Sequence, residues 1–511
     1  MRCPCVFLLC LPAAVWSATP GTPDSWIPAR WPGGPLELAR RAMAKTAPAD
    51  PAIRDAIASW YDPATLRLLE GSPLNCLLVT WSAGADREVE RRQQQLIKTY
   101  TAEAHQRGIA VLGLVYPGAD PARSAAAAAD ARLDGLALDG EFPGGFPGQV
   151  DRALASANSS AVVIPIAASA ASVRTARRPI LAVEGVSPSA RNLSDMGITS
   201  APSSEPWIQS NVWLVRSFRL GPAWRPVWIS YQPEGGTPAD YARSVADAAV
   251  AGGRWIVALD DGLRAGLRRN DAAALAAWHG IGACLKFAED HAEWRRFAPF
   301  GNLGIVVDSA AADPEMADEY LKLVARRQAP YRLIARSELS AASLAGFRAV
   351  LATALAPPTE VERNALRAFA EKGGLVVAGP TWGDPPKDKP FAEVPVGKGR
   401  VTVYKDLDPE SVARDMRDLL SHRDAGVAAF NVPTAITYAS TGAAGKCLLV
   451  QLLNYSDSPA TAITIRVSGN FKSARLFTPG AEPLDLAMNS SDGQVDVTIP
   501  KLSLWGGVLL E

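Results

Sequence analysis

The sequence predicts an α/β protein in which a (β/α)8, or TIM, barrel is followed by a flavodoxin-like doubly wound domain and a small C-terminal β-sandwich. Three observations predict it. Short apolar runs alternate with helical patterns from Asn75 onward, giving eight strand–helix units over residues 75–299. A composition break at Phe297-Ala298-Pro299 opens a second strand–helix series, over 300–425. From 426 to 511, short strands are separated by Gly, Ser, Asn and Pro turns and helical periodicity is lacking.

At 511 residues the chain is too long for a single core. Lys plus Arg equals Asp plus Glu, at 52 each, so no basic excess asks for nucleic acid or an anionic membrane. The N-terminus reads as an export leader over residues 1–17. Arg2 precedes an apolar run from Cys5 to Trp16, and Val15-Trp16-Ser17 offers a cleavage point after Ser17. The run is too short to span a bilayer, so the mature chain is expected to be secreted or periplasmic, with no membrane partner. Cys76, Cys284 and Cys447 remain after cleavage, far apart, and His105, His279, His291 and His422 are scattered. No metal, cofactor or disulfide scaffold is expected. No GxGxxG or Walker loop follows a first strand, so no nucleotide is expected either.

Taken in order, residues 18–74 are rich in Pro and Trp, with short helices over Leu36–Lys45 and Pro51–Ser59, and read as an N-terminal extension packing on the barrel. The first strand is Leu77–Trp81. A helix follows over Asp86–Gln106, with Val89, Leu96, Tyr100 and Ala104 on one stripe. Gly108 stops it. The second strand is Ile109–Tyr116, the third Gly135–Asp139, the fourth Ala161–Ile166 and the fifth Ile180–Glu184. Helices over Pro121–Arg132, Gly148–Ala157 and Val173–Arg177 separate the last four. Val186–Pro206 is a long polar loop that carries Arg191 and Asn192 as candidate polar contacts. The sixth strand is read at Val212–Ser217 and the seventh at Pro226–Tyr231. Thr237 then caps a helix with Pro238 in its first turn, ending at Gly252-Gly253. The eighth strand is Trp255–Leu259, and a helix over Ala272–Ala288 completes the round.

In the second series, strands fit Gly304–Asp308, Tyr331–Ile334, Ala349–Thr353, Leu375–Ala378 and Arg400–Tyr404. The helix Glu360–Glu371 is marked by Thr359 before it and Gly373-Gly374 after it. In the last region the strands are Ala435–Tyr438, Lys446–Asn454, Ile463–Val467, Ala474–Phe477, Gln494–Ile499 and Trp505–Leu510.

The chemistry is sought at the strand ends, where the loops of a parallel barrel build sites. Asp134-Gly135-Leu136-Ala137-Leu138-Asp139-Gly140-Glu141-Phe142-Pro143 closes an apolar strand with two acids two apart, which in a strand face one side. Two carboxyl groups held close disfavour double ionisation and so create a proton donor. The bland alternative is an Asp cap followed by a turn. Glu184 ends the run Ile180-Leu181-Ala182-Val183, so its carboxylate is expected to be partly desolvated with a raised pKa. Its alternative is an ion pair with Arg216. Glu234 follows the seventh strand. Asp260-Asp261-Gly262 follows the eighth and suits either substrate binding or a turn that holds backbone amides. Trp81, Tyr116, Trp228 and Tyr231 lie in or at the ends of strands. There they serve either to stack on sugar rings or to pack the core.

The ten residues 134–143 resemble the chitinase-family signature, Asp-Gly-x-Asp-x-Asp-x-Glu followed by an aromatic residue and Pro. That resemblance implies Glu141 as general acid and Asp139 as its positioning partner. Ala137 stands where the signature has Asp, Gly140 where it has an aromatic, and the motif falls on the third strand rather than the fourth. More broadly, the order of domains is similar to that of exported bacterial glycoside hydrolases, among them β-galactosidases with a glutamine-amidotransferase-like trimerisation domain. Leu355–Gly379 carries the amidotransferase-like part, and Leu448–Tyr455 the opening strand of the sandwich. The second domain has no Cys and no His before His422, so a Cys–His nucleophile is not expected there. In those β-galactosidases the acid and nucleophile sit at strands four and seven. Here the strand counted as fourth ends in Ile166-Ala167-Ala168, so those roles are not carried over.

The resemblance implies a glycoside hydrolase acting on a carbohydrate, with Glu141 as acid and Asp139 as partner; its place at a strand end makes Glu184 the alternative partner. It also implies a homo-oligomer formed through the second domain. The competing expectation is a carbohydrate-binding protein on a barrel without catalysis.

Overall fold

The structure is a computed structural model that describes residues 20–169, 178–194, 197–200, 207–220, 225–233, 236–308, 314–353, 357–382, 389–442 and 445–511. The leader, the helix read at Val173–Arg177 and Glu234 lie outside these residues, as do the side chains of Arg191 and Asn192.

Eight parallel strands form the first sheet: β1 Pro28–Arg30, β2 Cys76–Ser82, β3 Ala110–Val115, β4 Gly135–Asp139, β5 Val162–Ala167, β6 Leu181–Glu184, β7 Val227–Ser230 and β8 Arg254–Trp255. The sheet closes on itself where Ala29 meets Val257. Arg30 N donates to Val257 O at 2.7 Å, and Val257 N donates to Pro28 O at 3.0 Å. Pro28 lacks an N–H but sits at the first position of the strand, where none is needed. The N-terminal segment is therefore not only packed on the barrel. It supplies the first strand.

The run Val212–Ser217 corrects the sequence reading from the other side. It is part of a helix, Val212–Phe218, that buries Val212, Leu214 and Val215. A short apolar run has no period that separates strand from helix. Two changes thus offset each other, and the count stays at eight. The acidic motif now closes the fourth strand rather than the third, and Glu184 closes the sixth rather than the fifth.

Leu78, Leu112, Leu114, Ala137, Ile164, Ile166, Ala182, Trp228 and Ile256 fill the barrel interior. Residues of opposite parity, such as Val79, Trp81, Leu138, Val183 and Ile229, face the surrounding helices. Gly113 makes room for one of these. A Cβ there would lie 2.7 Å from Trp81 Cγ.

The second sheet has six strands in the spatial order Tyr331–Ala335, Leu303–Val307, Ala349–Leu351, Leu375–Ala378, Gly399–Tyr404, Phe391–Val396. All pair in parallel except the last, an edge strand that forms an antiparallel hairpin with Gly399–Tyr404. Pro395 hides that strand in the sequence, because proline is tolerated only at an edge. The expected capping box is present: Thr359 Oγ1 accepts from Glu362 N, and the Glu362 carboxylate accepts from Thr359 N. At the C-terminal edge of this sheet Arg336 binds both Asp308 and Glu362, at 2.8 Å each.

The last region forms a four-stranded antiparallel sheet and five strands of a six-stranded one, whose remaining strand is Ala298–Pro299. They enclose Val450, Leu452, Ile463, Ile465, Val497 and Val508. The outer face of the larger sheet joins the barrel's helical layer through Leu449, Leu453, Tyr455 and Trp505. Among the described residues no helix is long and apolar enough to cross a membrane.

Candidate active site at the barrel mouth

The floor of the mouth is an ion pair. Arg30, at the end of β1, reaches across to Asp139 at the end of β4, with Nη1 2.6 Å from Oδ2 and Nη2 2.9 Å from Oδ1. Nη2 also donates to Ser230 Oγ at the end of β7, at 2.8 Å. The fork geometry of guanidinium matches a carboxylate on two bonds, so both Asp139 oxygens are engaged. Burial opposes the Arg30 charge, but the Asp139 contact outweighs it and holds the guanidinium above its ordinary range. The expected arrangement, in which Asp139 turns to Glu141, is not present.

The reason lies in Gly140. Its φ of +116° is a backbone conformation that L side chains rarely adopt, and strand alternation ends there. Asp139 stays mostly buried on the floor while Glu141 is exposed beyond it. Among the described residues Glu141 has no hydrogen-bond or ion-pair partner, and neither has Glu184. Glu184 is exposed although its strand is buried, so the expected desolvation is not found. Arg216 does not pair with it. Arg216 lies over the Tyr331 ring, 3.9 Å from its centroid, and donates to Tyr331 O.

The rim beside the floor comes from the helix Gly34–Met43, which follows β1. Glu37 is fully buried there. It accepts from Arg40 Nη2 at 2.7 Å, Arg41 Nε at 2.6 Å and Thr80 Oγ1 at 3.0 Å. Arg40 lies 4.4 Å above the Tyr116 ring. Tyr116 is half-buried at the end of β3, and burial pushes its phenol well above the ordinary range. Arg41 passes on to Asp261 at 2.6 Å, and Arg264 binds the same carboxylate. Arg30, Glu37, Arg40 and Ser230 were not marked by the sequence reading. The signal available was Pro28-Ala29-Arg30 followed by a helix, one more strand–helix unit.

Several expected substrate contacts are structural. Trp81 is fully buried on the outer face, and its Nε1 donates to Ser124 O at 3.0 Å. Trp228 is fully buried in the barrel interior, below the floor. Tyr231 faces outward and stacks on Trp255 at 5.7 Å, with its hydroxyl buried. None of the three is open to a sugar. Asp260 caps the helix Asp261–Arg268 by accepting from Leu263 N at 2.8 Å, and it also accepts from Tyr241 OH. Asp261 is committed to two arginines. Tyr116 alone of the expected aromatic platforms remains at the mouth.

A cavity of about 390 Å³ lies at the opposite end of the barrel, lined in part by Trp26, Leu133, Asp134, Ser160 and Val162. Its one carboxylate, Asp134, is bound to His105 Nε2 at 2.9 Å and Val111 N at 2.7 Å. Among the described residues that line it, no second acid stands beside Asp134. Among the described residues no group of three or more His, Cys, Asp or Glu side chains could hold a metal ion.

The nearly closed barrel with these additional sheets has a fold similar to that of solved structures. The structure is similar to α-L-fucosidase isoenzyme 2 from Paenibacillus thiaminolyticus, with a TM-score of 0.58 and 12% identity over 87% of this chain and 95% of that one. An exo-carrageenase of family GH42 from Bacteroides ovatus gives a TM-score of 0.40 and 11% identity over 77% of this chain and 57% of that one. A GH42 β-galactosidase from G. stearothermophilus gives 0.39 and 10% over 84% and 68%. At these identities the likeness is one of fold. No family model and no curated protein matches the chain.

Proposed function

We propose that the protein is an exported glycoside hydrolase whose acids are Glu141 and Glu184. One observation carries this reading. Of the carboxylates at the ends of β4, β6 and β8, these two alone are exposed and unpartnered among the described residues, while Asp139, Asp260 and Asp261 are engaged. Glycoside hydrolysis needs one group to protonate the leaving oxygen and a second, across the scissile bond, to act as nucleophile or to activate water. Glu141 is assigned the first role and Glu184 the second. Asp139 and Arg30 form a fixed polar floor, and Tyr116 with Arg40 offers the sugar a rim. The leader at 1–17, a secreted or periplasmic location and assembly through the second domain belong to the same proposal.

The test is turnover of aryl glycosides and polysaccharides by residues 18–511, with α-L-fucosides and β-galactosides in the panel. Wild-type turnover lost by about a hundred-fold or more in both Glu141→Gln and Glu184→Gln supports the assignment. Turnover that survives either change removes that residue from its role.

A second reading, a sugar-binding barrel without catalysis, is favoured by the complete engagement of Asp139. Saturable binding without turnover in wild type, unchanged in Glu184→Gln, would select it.

A further inference from the structure

We propose that the C-terminal sandwich is part of the candidate site: Tyr455, acting through Asp247 and Asn211, fixes the Val186 backbone and so the Glu184 carboxylate two residues before it. The inference rests on the reading of Glu184 as a mouth acid, and it makes Tyr455 a positioning residue.

The chain of contacts is continuous. Asp247, on the barrel helix Pro238–Val250, is fully buried, and no cation is bonded to its carboxylate among the described residues. It is held by hydrogen bonds instead. Tyr455 OH donates to Oδ1 at 2.7 Å and Ser210 Oγ donates to the same oxygen at 2.7 Å. Asn211 N and Nδ2 donate to Oδ2 at 2.9 and 2.8 Å. Burial pushes the carboxyl up from the ordinary aspartate range, and these four donors pull the other way.

Asn211 then passes the constraint on. Its Oδ1 accepts from Val186 N at 2.8 Å and its Nδ2 donates to Val186 O at 2.8 Å. One side-chain amide thus replaces a strand neighbour for Val186, the second residue past β6. Gly185 permits the approach, since a Cβ there would lie 2.5 Å from Asn211 Oδ1. Gly185 N itself donates to Ser230 O at 3.0 Å, which ties the other side of the turn to the floor.

A second route runs parallel. Asp457 of the sandwich pairs with Arg243, and Arg243 Nη1 lies 3.4 Å from Pro188 O. The segment that leaves Glu184 is therefore gripped at 186 and 188 by groups that the sandwich holds. A buried amide whose orientation depends on a neighbouring carboxylate loses its definition when a donor to that carboxylate is removed.

The test is Tyr455→Phe, which keeps the ring and removes the hydroxyl. Amide hydrogen exchange at residues 185–187 should accelerate about ten-fold, the scale of one hydrogen bond. In a protein that turns over an aryl glycoside, kcat should fall with KM little changed. Ile465→Val, in the sandwich core away from the barrel, should change neither. Unchanged exchange at residues 185–187 in Tyr455→Phe overturns the proposal. So does faster exchange with wild-type kcat while Glu184→Gln is inactive. If wild type turns over no glycoside, the hydrolase reading fails by itself. Exchange then decides the linkage between sandwich and mouth, acceleration sustaining it and its absence removing it.

Discussion

Arg30 and Asp139, 109 residues apart in sequence, form a two-bond ion pair across the barrel mouth. It joins the short first strand to the fourth. Each side chain is mostly buried, 21% exposed for Arg30 and 16% for Asp139. Removing one partner leaves the other charge poorly solvated, whereas removing both need not. Arg30→Met is expected to lower stability by about 3 kcal/mol, and Arg30→Met with Asp139→Leu to recover at least half of that. The measurement is the midpoint of the barrel's thermal transition in the four proteins of the cycle. A double variant as unstable as the sum of the singles would mean that the pair is not a coupled unit.

Asp260 separates capping from chemistry. It accepts from Leu263 N at the start of a helix, and loss of such a cap costs about 1 kcal/mol. Asp260→Ala is therefore expected to lower the thermal midpoint while kcat on any glycoside substrate stays within about two-fold of wild type. A hundred-fold loss of kcat in a folded Asp260→Ala protein would return Asp260 to the list of reacting groups.

How much of this was legible in the sequence depends on what each residue's neighbours announce. Asp139 and Glu141 are visible because acids end an apolar run. Their separation is not visible, because it turns on the φ of Gly140. Arg30 is hidden because its strand has three residues and begins with proline, too short for any alternation to register. Val212–Ser217 misleads for the same reason: six apolar-rich residues satisfy both periods. Trp81 and Trp228 show a further limit. Strand parity puts Trp81 with Val79 and Trp228 with Ser230, but in a strand apolar on both faces the sequence does not say which face is the lumen.

The cysteines give a prediction without any substrate. Cys76 is buried and Cys284 is buried with its thiol pushed up to about 12 by desolvation. Cys447 is half-buried. The thiolate is the reactive form, so the first two should be inert at neutral pH. A thiol reagent should modify one cysteine per native chain of residues 18–511 and three after denaturation. Rapid labelling of all three in the native protein would contradict the packing around β2 and the helix Ala272–Asp290.

The network around Glu37 sets an acid limit on stability, and its sign follows from the shifts. Burial works against the Glu37 charge, but the bonds and charges of Arg40 and Arg41 outweigh it and hold its carboxyl below the ordinary glutamate value of 4.5. Asp261 is alike. Burial opposes its charge, and Arg41 and Arg264 together hold it below the ordinary aspartate value of 3.8. A carboxyl whose pKa is lower folded than unfolded contributes stability that is complete above the unfolded value. That stability is lost as pH falls through the folded one. Both contributions should thus be intact at neutral pH and decline below about pH 4.5. Glu37→Gln removes the charge, leaves Arg40 without a carboxylate partner and leaves Arg41 with Asp261 alone, so it should cost about 3 kcal/mol near pH 7. The difference in thermal midpoint between wild type and Glu37→Gln should then narrow steadily between about pH 4.5 and pH 3, because the wild type is losing what the variant never had. A difference that stays constant down to about pH 3 would show that the arginines do not hold Glu37 in its charged form, and the rim would need another account.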